Sequence, residues 1–366
     1  MKVILDKDLF LNKLSLANRF TSNRITSISS LQGVLISGEQ NKITISSTNL
    51  NFYFKTIFNN KIEEDFKILI EQRKIIEFLS FLPQGKIQLE ISDKKLTITK
   101  DKTKGTFQLM EGKDFPPAPE LAKEKEQKTK TGFLLKHLPL VLFSASPDET
   151  RPVLTGVNFI TQDEDLIIVA TDGFRLSLVR VKKEIPVSAM LVPQGFLEEV
   201  LKTIKDEDEV GLIFSPREKV FSVKTGDTQL YSRLIEGDFP PYEKVIPEEH
   251  KTRAVLDREE FMNNVKLISV FARDFSNIVI LDFKKEGVFL RPKTDVEEQT
   301  TAFQEGEVSG EEQRVAFNFK FILDFLNQTS SKKIIIEVLR SDAPTVFKLE
   351  GNKDFLHIIM PVRLQS

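Results

Sequence analysis

The chain has no cysteine and no tryptophan, only three histidines, and no apolar run near the 18 residues that a membrane span requires. Without cysteine there can be no disulfide framework, thiolate zinc site or cysteine nucleophile, so a reducing, cytoplasmic setting is expected. His137, His250 and His357 stand more than a hundred residues apart, and none has a second ligand at metal spacing. Neither a GxxxxGK(S/T) loop nor a GxGxxG fingerprint occurs, so ATP hydrolysis has no motif behind it. The start, Met1-Lys2-Val3-Ile4-Leu5-Asp6-Lys7-Asp8, breaks its apolar stretch with charge and does not read as a signal peptide. An excess of one charge is missing too. Lys plus Arg number 52 against 54 Asp plus Glu, a formal charge of −2, which excludes a strongly basic, histone-like mode of nucleic-acid binding.

What remains is ordinary globular material: 366 residues, 40% hydrophobic and 29% charged. Thirty Phe against three Tyr place the aromatic mass in cores, because wet binding surfaces favour Tyr and Trp. The length suggests two or three domains.

Self-comparison supports three. A Thr followed by Asn or Asp recurs at Thr48-Asn49-Leu50, Thr171-Asp172-Gly173 and Thr294-Asp295-Val296, each 123 residues from the last. An amphipathic helix recurs around Ile75-Ile76-Glu77-Phe78-Leu79, Leu197-Glu198-Glu199-Val200-Leu201 and Ile322-Leu323-Asp324-Phe325-Leu326, at intervals of 122 and 125. A closing motif, Gly112-Lys113-Asp114-Phe115-Pro116-Pro117, returns as Gly237-Asp238-Phe239-Pro240-Pro241. Such a period is far longer than a solenoid repeat and means duplicated domains.

Within each copy the spacing predicts an early helix, at Leu9 to Ala17, Phe133 to Ser144 and Phe261 to Ile268, with Asp257 and Glu260 as an N-cap pair for the last. Alternation predicts strands at Lys42 to Ile45, Leu166 to Val169 and Val288 to Leu290. Further strand pairs follow the second helix, at Lys86 to Ile91 with Leu96 to Ile98, at Val210 to Val223 and at Lys332 to Leu349. The fold class is therefore α+β: three similar domains, each with two helices against antiparallel sheet. The charged stretch Lys123 to Lys130 reads as a linker, and Pro247 to Lys251 as a second one, so the expected domains are 1–121, 130–247 and 248–366.

The acid run Asp206-Glu207-Asp208-Glu209 lacks the glycine and terminal glutamate of a calcium loop and reads as a solvated turn. Asp172-Gly173 reads as a two-residue hairpin turn with positive φ at both positions. Neither reading explains Phe174-Arg175-Leu176 after that turn. Nor does either explain the terminal Ile358-Ile359-Met360-Pro361-Val362-Arg363-Leu364, an apolar run expected to face water and to mark a partner site. No nucleophile, base and oxyanion site assemble, so no catalytic residue, cofactor or metal is expected.

Several of these segments resemble the bacterial DNA sliding-clamp family, the β subunits of the replicative DNA polymerase III holoenzyme. The likeness spans the chain and rests on four markers in order: Ala170 to Leu176, Asp238-Phe239-Pro240-Pro241-Tyr242 with Val245 and Pro247, Phe317-Asn318 leading to Asp324 and Leu326, and Met360 to Leu364. The resemblance implies a head-to-tail homodimer whose six domains close into a ring, with helices lining the hole. It implies a processivity factor that encircles duplex DNA without reading sequence, so contacts go to phosphates. Implied partners are a clamp-loader ATPase, the replicative polymerase and other proteins that carry a short Leu/Phe-containing peptide.

By the same resemblance a peptide groove lies between the second and third domains. The second supplies Leu154, Thr171, Gly173, Phe174, Arg175 and Leu176, with Pro240 and Val245 at its end. The third supplies Pro344 and Val346, then Ile358, Met360, Pro361, Val362, Arg363 and Leu364. Phe174 stands where His is common in the family, and Gln365-Ser366 run past the usual end, so the peptide preference stays open. Family positions place Lys74, Phe107, Leu109, Val270 and Phe271 at the dimer seam, and Arg24 and Arg73 on DNA, with Lys13, Lys202, Lys205 and Lys266 as further basic helix residues. Glu77, Glu199 and Asp324 share one repeat position, an acid with no evident role on a DNA-facing helix. A monomeric protein-binding scaffold and an enzyme at the domain junctions are the alternatives.

Overall fold

A computed structural model describes residues 1–22, 27–112, 114–121, 124–183, 188–273, 276–293 and 300–364. Arg24, Thr294-Asp295-Val296 and Gln365-Ser366 lie outside the described residues. The chain divides into two contact units, residues 1–132 with 195–234 and residues 133–194 with 235–366, so the expected middle domain contributes to both.

In the first unit, helices α1 (Lys7–Asn18), α2 (Gln72–Phe81) and α5 (Gln194–Ile204) accompany a twelve-stranded sheet. Asp6 starts α1 by accepting the Leu9 N–H at 2.9 Å, satisfying one of the donors that a helix N-terminus leaves open. The buried stripe Phe10, Leu14 and Ala17 then faces the core. Phe10 and Leu14 each contribute about 1.5–3 kcal/mol by leaving water, and the methyl of Ala17 about 0.8 kcal/mol. Gln72, at the start of α2, donates to Asn18 Oδ1 at 2.7 Å and ties the beginning of one helix to the end of the other.

The second unit holds α3 (Thr131–His137), α4 (Pro139–Leu142), α6 (Arg258–Ala272) and α7 (Phe319–Asn327) with a nine-stranded and a four-stranded sheet. Asp257 caps α6 through the Glu260 N–H at 2.9 Å, and Asn318 caps α7 through the Lys320 N–H at 3.0 Å. All pairings between strands are antiparallel among the described residues.

Three local expectations need correction. The helix expected at Phe133 to Ser144 is two pieces, because Pro139 has no N–H and cannot continue the ladder of α3. The charged linker is half strand: Gln127–Lys130 pairs with Glu209–Ser215, where Lys128 meets Glu209 at 3.0 Å across the strands and Thr129 is buried. Glu209 faces Lys130 and reaches Lys128 on the diagonal, and such cross-strand pairs of opposite charge stabilise a pairing that a count of charged residues conceals. The hairpin turn is centred one residue later than Asp172-Gly173. Thr171 pairs with Leu176, so Gly173 and Phe174 are the central residues, and of these only Gly173 has positive φ, +92°.

The first copy repeats this turn bond for bond. Thr48 Oγ1 donates to the Phe52 carbonyl and accepts from Leu50 N–H, as Thr171 Oγ1 does with Arg175 and Gly173. Asn49 and Asp172 each accept from the backbone N–H groups two and three residues on. The recurring Thr-Asn/Asp pair is thus the hydrogen-bonding kit of one turn. Leu50 takes the glycine position at φ +76°, a conformation that costs a side-chain-bearing residue about 1–2 kcal/mol.

Candidate functional site

The residues expected to line a groove lie within the second unit, where strand Asn352–Ile359 runs between Arg175–Lys182 and Thr345–Leu349. Register places Leu176 beside Ile358 and Ile358 beside Val346, so the three form a row across neighbouring strands. They pack in one buried cluster with Ile167, Val169, Leu178 and Tyr242. Tyr242 comes from the one-turn helix Tyr242–Val245, and burial, then the neighbouring Glu243, pushes its phenol up to about 12, so it stays neutral. Around this floor Phe174 is 60% exposed, Val245 37% exposed, and Pro240 and Gly173 are exposed. Pro344, Met360 and Pro361 are half-buried, and Arg363 and Leu364 are exposed. An apolar floor below uncovered apolar and proline side chains suits an extended peptide.

The terminal run does not face water as expected. Ile358 and Ile359 are buried because strands flank them on both sides. Beyond Ile359 the chain is held by two backbone bonds, Met360 N–H to the Phe174 carbonyl and Val362 N–H to the Ala316 carbonyl, both 2.8 Å. Val362 packs against Ile278, Ile280 and Ala316, a separate cluster, and Leu154 is buried but not part of the cluster around Leu176 and Ile358.

Arg175 is the most constrained polar residue of the site. Its Nε donates to Asp172 Oδ2 at 3.0 Å and its Nη1 to Asp324 Oδ2 at 2.5 Å. The guanidinium stacks 4.7 Å over Phe321 and 5.7 Å from Phe143, and only 10% of the side chain is exposed. Two carboxylates and two rings hold a charge that burial alone would penalise. The sequence reading missed Asp172, Phe321 and Phe143 as supports; for Asp324 the signal was the recurring acid, whose role here is to anchor Arg175.

Behind Arg175 sits His357, fully buried, with Nδ1 2.8 Å from Ser177 Oγ and its ring stacked on Phe325 at 5.3 Å. Burial first, and the positive Arg175 second, push its pKa down to about 3 from 6.5. The folded chain therefore keeps His357 neutral, while the unfolded chain takes up a proton below pH 6.5. Stability from this group is complete above about pH 6.5 and falls as the pH drops toward 3, by up to about 1.4 kcal/mol per pH unit. Urea midpoints measured from pH 7 to 4.5 should fall less steeply in His357→Gln than in the parent; parallel curves would contradict this assignment.

The basic helix residues differ in availability. Lys13 is ion-paired with Asp227 and within 3.4 Å of Thr228 Oγ1, and Lys202 meets Glu199 at 2.7 Å. Arg73, Lys205 and Lys266 are exposed. Of the residues expected at a dimer seam, Lys74 is exposed, Phe107 lies edge-on to Phe78 at 5.6 Å, Leu109 is half-buried, and Val270 and Phe271 are 55% and 39% exposed.

Comparison with known proteins joins these parts. Residues 1–119 match the N-terminal domain, 130–241 the central domain and 243–363 the C-terminal domain of the DNA polymerase III beta subunit. The chain belongs to the DNA polymerase III beta-subunit family. Among relatives, the beta sliding clamp of Synechocystis is 27% identical, covering all of both chains, and that of Bacillus subtilis is 24% identical over 99% of this chain and all of the relative. The same fold is seen in the solved DNA polymerase III beta subunit of Thermotoga maritima, with a TM-score of 0.92, 24% identity and full coverage of both chains. The family is one of three-domain α+β sliding clamps, and the triplication found at intervals of 122–125 residues is its domain structure.

Proposed function

We propose that two copies of this chain join head to tail into a closed ring around duplex DNA, and that the ring tethers the replicative polymerase and other partners through the groove. The triplication carries this reading. Three near-equal domains per chain, bounded at about 1–121, 130–247 and 248–366, give six steps of about 60° when two chains close. The seam forms from Lys74, Phe107 and Leu109 of one copy and Val270 and Phe271 of the other. DNA contacts come from Arg24, Arg73, Lys13, Lys202, Lys205 and Lys266, go to phosphates, and are salt-sensitive and weak. Lys205 and Lys266, both exposed, are the leading candidates, whereas Lys13 and Lys202 have acid partners inside the chain.

The role is topological, without catalysis or cofactor, in the cytoplasm. Opening the ring onto circular DNA falls to a separate clamp-loader ATPase. Sedimentation equilibrium over a dilution series is expected to give a species near 84 kDa (2 × 41.9) down to nanomolar concentration. A 41.9 kDa species at micromolar concentration would instead favour a monomeric scaffold.

A further inference from the structure

The acid shared by the second helices finds a cation inside the chain in two of three cases. Glu199 on α5 faces Arg19, the C-cap residue of α1, at 3.6 Å, and Asp324 on α7 faces Arg175 at 2.5 Å. Glu77 on α2 is exposed and forms no ion pair among the described residues.

The surrounding faces differ in the same sense. A shift of 122 residues lays Phe196, Glu199, Val200 and Thr203 of α5 over Lys74, Glu77, Phe78 and Phe81 of α2. On α5 this face is covered: Phe196 and Val200 are buried, and the Phe196 ring lies 5.6 Å from that of Phe52. On α2 it is more open: Lys74 is exposed and Phe81 is 83% exposed, while Phe78 is half-buried against Phe107.

The cover on α5 includes the end of α1, and the counterpart of α1 in the third copy is α6. Their N-caps, Asp6 and Asp257, are 251 residues apart, and the same shift carries the buried Phe10 and Leu14 onto the buried Phe261 and Val265. It carries Arg19 onto Val270. There α6 exposes Leu267, Val270 and Phe271, at i, i+3 and i+4, which is a single stripe. Helix α6 has 15 residues against 12 in α1, and that added turn moves the C-cap arginine to Arg273, three residues past Val270 on the same side. The first unit thus shows an open acid beside Phe81, and the second an apolar stripe ending in an arginine.

We propose that Glu77 of one copy pairs with Arg273 of a second, completing at the seam the contact that Arg19 and Glu199 make within the chain. This rests on the two-copy ring above and names the polar pair that orients its closure, flanked by Phe81 on one side and Leu267 and Val270 on the other. The occupant is a second copy because the intact junction is itself made of two copies of the same repeat.

The test is a charge swap read by sedimentation equilibrium. Glu77→Arg and Arg273→Glu are each expected to raise the dimer dissociation constant about tenfold or more, and the double variant to return within about threefold of the parent. Both side chains are exposed in the single chain, and circular dichroism checks that each variant is folded. A dimeric parent whose single variants associate as tightly, or a double variant no tighter than the singles, overturns the pair and leaves the ring standing. A monomeric parent overturns both.

Discussion

Replacing Arg175 by alanine and ending the chain at Ile359 is expected to abolish binding of a Leu/Phe-containing peptide, a loss of about 100-fold or more, while the dimer forms as before. Arg175 is fixed by Asp172 of its own turn and by Asp324 of α7, and is stacked on Phe321 and Phe143. Alanine removes the stack and frees the turn that presents Phe174. Removal of residues 360–366 takes Met360 from the groove edge and breaks its bond to the Phe174 carbonyl. Anchors of this kind carry most of the affinity of a small interface. Both changes leave Ile358 and Ile359 in their strand, so the sheet stays paired. Titration calorimetry reads the affinity; an unchanged value would sink the groove assignment.

The second large effect belongs to the seam. Val270→Asp combined with Phe271→Asp is expected to raise the dimer dissociation constant by about 1,000-fold, giving a folded 41.9 kDa monomer at micromolar concentration. These side chains are exposed in the single chain, so the fold tolerates charge there. At a seam each would leave water, worth about 1.5–3 kcal/mol for an apolar residue, and an unpaired aspartate in its place carries a desolvation penalty instead. Persistence of the dimer in sedimentation would place the seam elsewhere. Peptide affinity of that monomer should match the parent, because all the proposed groove residues come from one chain.

The sequence made the repeat legible because each copy keeps the same apolar spacing in its second helix and the first two share the Thr-Asn/Asp turn, and both are local patterns set by local physics. The hydrogen bonds of Thr48 and Thr171 explain why that pair of residue types returns while its neighbours vary. What was hidden depends on pairing across distance. Gln127–Lys130 is a strand because Glu209 lies opposite Lys130 and bonds Lys128, which no window of sequence contains. The terminal run is half buried for the same reason. The recurring acid was visible as a pattern, yet its function appeared only when Arg19 and Arg175 were seen beside it. Arg175 was legible as a site residue, whereas its supports from α4, α7 and the turn come together only in three dimensions.

The central claim is enclosure, and retention on circular DNA tests it most directly. The chain, loaded by a clamp-loader ATPase with ATP onto a singly nicked plasmid, is separated from free protein by gel filtration before and after a restriction enzyme cuts the circle once. A ring that holds DNA by topology should co-elute with the circle and be lost from the linear product, since weak phosphate contacts cannot hold it through the column. Equal retention on circular and linear DNA would mean that the chain binds by contact, and it would contradict enclosure.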